Sequence, residues 1–204
     1  MSYPNQFWNE KYAEETVVYG VKPNVWLEEN LPNLSPSTIM FPAEGEGRNA
    51  VYAAKLGWEV TAFDFSEEGK KKAMLLAQQN QVDFDYQIAS ADEVSFERMF
   101  NAICFSFSHF PAAIKIGAYQ HLEKFLETGG TVILELFAKE QAQYQEISNS
   151  GGPRDMAMLW SKEEVLQALP NIEWQSLEVV VYHLNEGPGH QGEGAVIRGI
   201  GVKK

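Results

Sequence analysis

A chain of 204 residues is sized for one domain, or one domain with a small appendage, and at that length about 70% of the unfolded surface is buried without disulfides or a structural metal. Sixteen Lys and Arg against 28 Asp and Glu leave a formal charge of −12, which repels phosphate backbones and anionic lipid and sets nucleic acid and membranes aside as partners. The single Cys104 cannot close an internal bridge, the opening MSYPNQFWNEKY has no basic stretch leading into an apolar one, and no run of 18 apolar residues occurs. The expectation is a cytoplasmic protein that handles a small-molecule substrate, as a monomer or weak homodimer.

Phe7, Trp8 and Tyr12 recur at helical spacing and predict a helix over residues 5–15, followed by a second over 23–31 with Pro23 in its first turn. Residues 38–41 read as an apolar strand ending at Pro42 and the loop 43–47, and a helix over 48–56 follows, closed by Gly57. A strand over 59–63, a helix over 67–79 and a strand over 84–88 come next. A fourth strand is expected at 102–105, a helix at 112–126, a fifth strand at 131–137 behind Gly129 and Gly130, and a helix at 161–168. Residues 174–184 and 195–202 are β-like, and the Gly-rich stretch 185–192 between them has no room for a helix, so they pair antiparallel. Strands separated by helices demand crossovers, and crossovers make a parallel sheet covered on both faces. The expected fold is therefore α/β, a doubly wound, mostly parallel seven-stranded sheet with a C-terminal antiparallel hairpin. Residues 1–204 form one domain, with 1–34 as a helical lid and 35–204 as the sheet core.

In such sheets ligands bind beyond the carboxyl ends of the strands, commonly after the first. The loop Ala43, Glu44, Gly45, Glu46, Gly47 lies there. Its glycines remove two β-carbons, and the helix opening at Arg48 points free amides into the same space. Asp64 ends the second strand 19 residues beyond Gly45, where a carboxylate can accept both hydroxyl protons of a ribose; the competing reading is a cap on the next helix. Ala91 and Asp92 follow the third strand, where Asp92 can read an adenine amine, cap a helix or face solvent, and Phe65 offers a ring to the base. Together these features specify an adenosine site. A dinucleotide fingerprint wants a third glycine where Arg48, Asn49 and Ala50 stand, and Glu44 and Glu46 oppose a pyrophosphate while tolerating a sulfonium and an ammonium.

The run 39–50, IMFPAEGEGRNA, followed by Val60 to Ser66, VTAFDFS, resembles the first two motifs of class I S-adenosylmethionine-dependent methyltransferases. The GEGRNA helix start, with Phe7, Trp8, Tyr12, Tyr19, Gly20, Pro23 and Asn24, is similar to the tellurite-resistance and thiopurine methyltransferase branch, and the resemblance runs over nearly the whole chain. It implies a Rossmann-like methyltransferase fold and methyl transfer from S-adenosyl-L-methionine to a small molecule, with a soft thiol, selenium or tellurium nucleophile preferred. By position it puts Ala43, Gly45 and Gly47 around the methionine part of the cofactor, Asp64 on the ribose, Phe65 beside the adenine, Ala91 and Asp92 at its amine, and Phe105, Ser106 and the residues to His109 along the methyl-transfer site. Arg48 and Tyr19 complete the cofactor set. Phe41 and Ala43 depart from the pattern, which often has an acid and a glycine there; Glu44 is the expected substitute anchor for the cofactor's ammonium. The rival functions are an NAD(P)-dependent oxidoreductase and a binding module without turnover.

His109, after the fourth strand, is the candidate proton acceptor, against a structural loop histidine. His190 lies in the hairpin loop, either over the substrate or, as the favoured reading, on flexible surface. Trp8, Tyr12, Tyr19 and Trp26 are either a lid over the cofactor or ordinary helix packing. Met156, Met158 and Trp160 are more simply packing residues than a substrate wall, and Cys104 reads as an inert buried thiol. No ligand spacing indicates a metal, and Lys70, Lys71 and Lys72 read as a solvated helix face.

Overall fold

The apolar runs alternate between two cores, which explains why they are short and continuous. In β1 (Thr38–Pro42), Ile39 and Phe41 enter one hydrophobic cluster and Met40 the other; in β4 (Phe100–Ser106), Ala102 and Cys104 are opposed to Ile103 and Phe105 in the same way. A strand apolar on both sides can be stable only between two layers of helix. In this computed structural model, which describes residues 3–14, 16–148 and 150–204, those layers are present. On one side lie α2 (Val25–Asn30), α3 (Arg48–Lys55) and α4 (Glu67–Asn80), contributing Leu27, Ala50, Val51, Ala53, Ala73 and Ala77. On the other lie α5 (Lys115–Glu123) and α7 (Lys162–Ala168), contributing Ala118, Tyr119, Leu122, Val165 and Ala168. The remaining helices are α1 (Tyr3–Ala13) and α6 (Gln141–Ile147).

With β2 (Glu59–Asp64), β3 (Asp85–Ile88), β5 (Leu126–Phe137), β6 (Ile172–Asn185) and β7 (Gln191–Lys203), the described residues form a seven-stranded sheet in the order β3-β2-β1-β4-β5-β7-β6. The pairs among β1 to β5 are parallel, and β7 is antiparallel to both β5 and β6. The winding reverses between β1 and β4, so the carboxyl ends of those two strands open onto the crevice where ligands bind in such sheets.

Local chemistry sets the boundaries. Ser66 caps α4 by accepting from the Gly69 amide at 3.1 Å, with Glu67 and Glu68 in the first turn, and Ser161 and Glu164 make a reciprocal capping box on α7. Asn24, not Pro23, opens α2, its side chain accepting from the Leu27 amide at 3.0 Å. The expected helix over 112–126 is shorter at both ends. Residues before Lys115 form a turn on the Pro111 carbonyl, and Leu126 pairs with Phe100, so the stretch expected only to introduce the fifth strand, Gly129 and Gly130 included, belongs to it. The hairpin strands likewise run further than expected, leaving a turn of residues 186–190. The α6 helix went unpredicted, and the C-terminal end of the expected 5–15 helix falls on Glu15, outside the described residues.

Candidate functional site

The β1–α3 loop turns sharply, with positive φ at Ala43 (51°), Gly45 (60°) and Gly47 (87°). The two glycines do something other than expected. A β-carbon on Gly45 would lie 2.5 Å from the Tyr12 hydroxyl, and one on Gly47 would lie 2.6 Å from the Ala73 β-carbon, so they admit the Tyr12 side chain of α1 and the backbone of α4. Glu44 folds back under α3: one carboxylate oxygen accepts from the Asn49 and Ala50 amides, each at 2.8 Å, and the other faces the Asn49 side chain at 3.5 Å. The carboxylate thus caps α3 and fills the anion site at its N-terminus. Burial raises its pKa to about 7 despite those amides and the nearby Arg48. Its oxygens are engaged with the helix, which removes it as the expected anchor for a ligand ammonium.

Asp64 is 5% exposed, and its two oxygens accept from the Gly45 amide (3.2 Å) and the Ser66 amide (2.9 Å). The cap on α4 is Ser66, so the capping alternative for Asp64 does not hold. Among the described residues no Lys, Arg or His forms an ion pair with it, and burial lifts its pKa to about 6. Phe65 beside it is half-buried. Across the end of β3, Ala91 is buried in a core cluster and Asp92 lies exposed in a turn rather than at a helix start.

The N-terminal segment closes over this loop. Trp8 stacks on Tyr12 at 5.3 Å, and Tyr12 is buried at the Gly45 backbone. Glu46 accepts from the Val18 amide at 2.8 Å and pairs with Lys72 at 3.0 Å. Lys72 also donates to the Glu14 and Thr16 carbonyls, so it fastens the segment instead of lying on a merely solvated face. Trp26 sits elsewhere: its indole donates to the Gly199 carbonyl and its ring carries the Arg198 guanidinium, away from the loop.

Arg48 is turned inward to Glu186 of the hairpin turn at 2.7 Å and to the Tyr19 carbonyl at 3.1 Å. It is thereby committed to holding that turn, and its guanidinium is not free for a phosphate. Glu186 also accepts from the Val25 amide (3.0 Å) and the Asn24 side chain (3.1 Å). These contacts bury the turn, so His190 is 4% exposed, which overturns its reading as flexible surface. The partners lie more than 130 positions apart in sequence, and no local signal announces them.

At the end of β4, Phe105 is fully buried and stacked on Tyr119, leaving only its backbone at the crevice. The Ser106 hydroxyl is buried without a hydrogen-bond partner among the described residues. Phe107 adopts φ 51°, a left-handed conformation unusual for a ring-bearing residue, with its amide donating to the Glu135 carbonyl. His109 is clamped by backbone on both sides: Nδ1 lies 3.0 Å from the Met158 carbonyl and Nε2 accepts from the Phe137 amide at 3.1 Å. With both ring nitrogens engaged, it holds the loops together and has no lone pair for a substrate proton. Trp160 is a core residue and Met156 is exposed, so neither builds a substrate wall. Among the described residues no cluster of ligating side chains could hold a metal.

His109 yields a direct prediction. Burial lowers its pKa from 6.5 to about 4, so the unfolded chain takes up its proton first and the stability it supports is lost as pH falls from 6.5 through 4. Thermal denaturation of His109→Gln is expected to show a loss of about 1–3 kcal/mol at neutral pH, from an unpaired buried backbone group, and a flatter decline between those pH values.

Residues 42–130 match a family model described as a methyltransferase domain. The chain has the methyltransferase fold. Solved structures similar to it include a SAM-dependent methyltransferase from Anabaena variabilis (15% identity, 98% of this chain and 93% of that one covered, TM-score 0.71). TehB from Haemophilus influenzae is similar at 12% identity, with 98% and 67% covered and a TM-score of 0.69. A protein described for the conversion of a disulfide bond into a thioacetal group during echinomycin biosynthesis is similar at 12% identity, with 98% and 91% covered and a TM-score of 0.79. No curated protein matches the sequence. The β1–α3 loop, Asp64 and the end of β4 thus lie at the carboxyl ends of the neighbouring strands β1, β2 and β4.

Proposed function

We propose that this protein transfers a methyl group from S-adenosyl-L-methionine to a small-molecule acceptor with a soft nucleophile. The observation that carries the choice of cofactor is Glu44 on the N-terminus of α3. A dinucleotide needs those amides for its pyrophosphate, and here a carboxylate already holds two of them while Arg48 is committed to Glu186. An adenosine carrying a sulfonium makes no such demand. Asp64, buried without a cation and held only by backbone amides, retains lone pairs for ribose hydroxyls, and the unpartnered Ser106 hydroxyl at the end of β4 is a second polar group left unsatisfied.

In this reading Asp64 holds the ribose, the backbone at Ala43 and Gly45 lines the methionine part, and Phe65, Ala91 and Asp92 flank the adenine. Tyr12, Tyr19 and Trp8 exclude water from above, their rings suited to a cationic ligand. When bound, S-adenosylmethionine supplies an activated methyl group, and the chain's part is chiefly alignment and exclusion of water. Sulfur as the acceptor atom is supported by the neighbour described for disulfide-to-thioacetal conversion. Thermal shift tests the choice: S-adenosylhomocysteine at about 100 times its Kd is expected to stabilise the protein by about 2.7 kcal/mol, with no shift from NADH. The opposite pattern would replace methyl transfer by oxidoreduction.

A further inference from the structure

His190 is buried in the turn between β6 and β7, against the ends of β4 and β5. Its ring is packed among Tyr19 of the N-terminal segment (centroids 4.5 Å apart), Phe107 after β4 (4.3 Å) and Phe137 at the end of β5 (5.2 Å). Three separate segments therefore meet on one imidazole at the carboxyl ends of adjacent strands, and Phe107 directly follows Ser106, whose buried hydroxyl has no hydrogen-bond partner among the described residues. Backbone without side chains fixes it there. A β-carbon on Gly151 would lie 2.8 Å from His190 Cδ2, one on Gly189 would lie 2.6 Å from the Tyr19 ring, and one on Gly187 would lie 2.4 Å from the Gly20 amide. Phe107 reaches the ring by way of its left-handed backbone, a conformation kept where a side chain must be aimed.

The ring's polarity is also set. Nδ1 is buried with no hydrogen-bond partner among the described residues and faces the Glu186 carboxylate at 3.9 Å. Glu186 is charge-balanced by Arg48 and held by the Val25 amide and the Asn24 side chain, which fix its carboxylate beside the ring. A carboxylate in that position favours the tautomer with the proton on Nδ1 and leaves the lone pair on Nε2. His109, the other histidine of this region, has both nitrogens occupied.

We propose that His190 accepts the acceptor's proton through Nε2, with Glu186 as the positioning residue that sets its tautomer. The inference rests on the methyltransferase reading and narrows it: the acceptor is a protic nucleophile, a thiol, and not a soft anion already free of its proton. In the balanced step the thiol S–H bond breaks, its proton goes to His190 Nε2 and on to water, and its electron pair forms the new S–CH3 bond. The C–S bond of the sulfonium breaks with its electron pair kept on the departing sulfur, giving S-adenosylhomocysteine. Burial, with Arg48 and Lys11 nearby, lowers the His190 pKa to about 4 against the opposing pull of Glu186, so the ring is neutral at pH 7; His109 and Tyr19 are the other titratable groups facing it.

Imidazole nitrogen NMR of the apoprotein is expected to show His190 protonated at Nδ1, and Glu186→Gln to erase that preference. With butane-1-thiol, which holds its proton at neutral pH, His190→Asn should form S-adenosylhomocysteine on the order of 100-fold more slowly than the parent; with 4-nitrothiophenol, already ionised, the two should agree within about threefold. Glu186→Gln, which keeps the imidazole, should move the acid limb of the butane-1-thiol pH–rate profile to lower pH, a change that packing alone does not produce. An Nε2-protonated ring, or an equal loss with both thiols while calorimetry shows S-adenosylmethionine still binding, overturns the role of His190. If the parent protein does not bind S-adenosylmethionine, the methyltransferase reading fails first, and the proton-acceptor role with it.

Discussion

Asp64→Ala is expected to lower affinity for S-adenosylhomocysteine by roughly two to four orders of magnitude, measured by calorimetry at pH 7.5, because each hydrogen bond to a charged acceptor contributes about 1.5–3 kcal/mol and a ribose makes two. The same carboxyl gives the binding a pH dependence of known sign. Burial holds Asp64 at about 6, so protonation below that pH removes the acceptor and affinity should fall as pH drops through 6; in Asp64→Asn the fall should be missing. Folding shows the reverse. A carboxyl raised from 3.8 to about 6 supports the fold while protonated, and that support is lost as pH rises from about 4 through 6. Asp64→Asn should therefore flatten the stability curve in this window. An unchanged affinity in Asp64→Ala would remove the ribose from this site and with it the placement of the cofactor.

Arg48→Met should be the most destabilising single change in the crevice. Its partner Glu186 has a side chain only 2% exposed, Arg48 itself 8%, and breaking a buried pair by removing one member costs about 3–5 kcal/mol because the other charge is stranded. For a chain of this size that is about 6–20 °C in Tm. Burial opposes ionisation of Glu186, but His190, Arg48 and the Val25 amide together hold its pKa at about 2, so its contribution is present above pH 4.5 and lost as pH falls through 2. In Arg48→Met that contribution should shrink, and the loss of Tm should persist in 1 M salt, since a pair so deeply buried is little screened. A drop that vanishes in salt would make the contact a surface pair. Methyl transfer should fall along with stability, since the same guanidinium fixes Tyr19 and the hairpin turn beneath His190.

The strands, the parallel body of the sheet and its reversed hairpin were largely legible, because a buried parallel strand writes itself as a short apolar run and a strand–helix alternation admits few topologies; their spatial order came only with the structure. Asp64 was legible for a similar reason: the distance from the loop after one strand to the end of the next is fixed by the helix between them. The segment 126–130 was misread because helix-forming residues precede it and only its pairing with Phe100 draws it into the sheet. His109 and His190 could not be ranked from spacing alone. Each follows a strand, and only the contacts of each ring distinguish them.

Composition, alternation and spacing thus determined the α/β class, the reversed hairpin and the carboxylate at the end of β2, because these depend on neighbours a few residues apart or on one crossover. Tertiary structure alone decided that Glu44 caps a helix, that Lys72 fastens the N-terminal segment to Glu46, and that Arg48 holds the hairpin turn so that His190 is buried. A side chain's pattern in the sequence limits its face, whereas the partner of a charge is set by whichever distant segment the packed sheet brings within about 3 Å, and that distance exists only after the chain has folded.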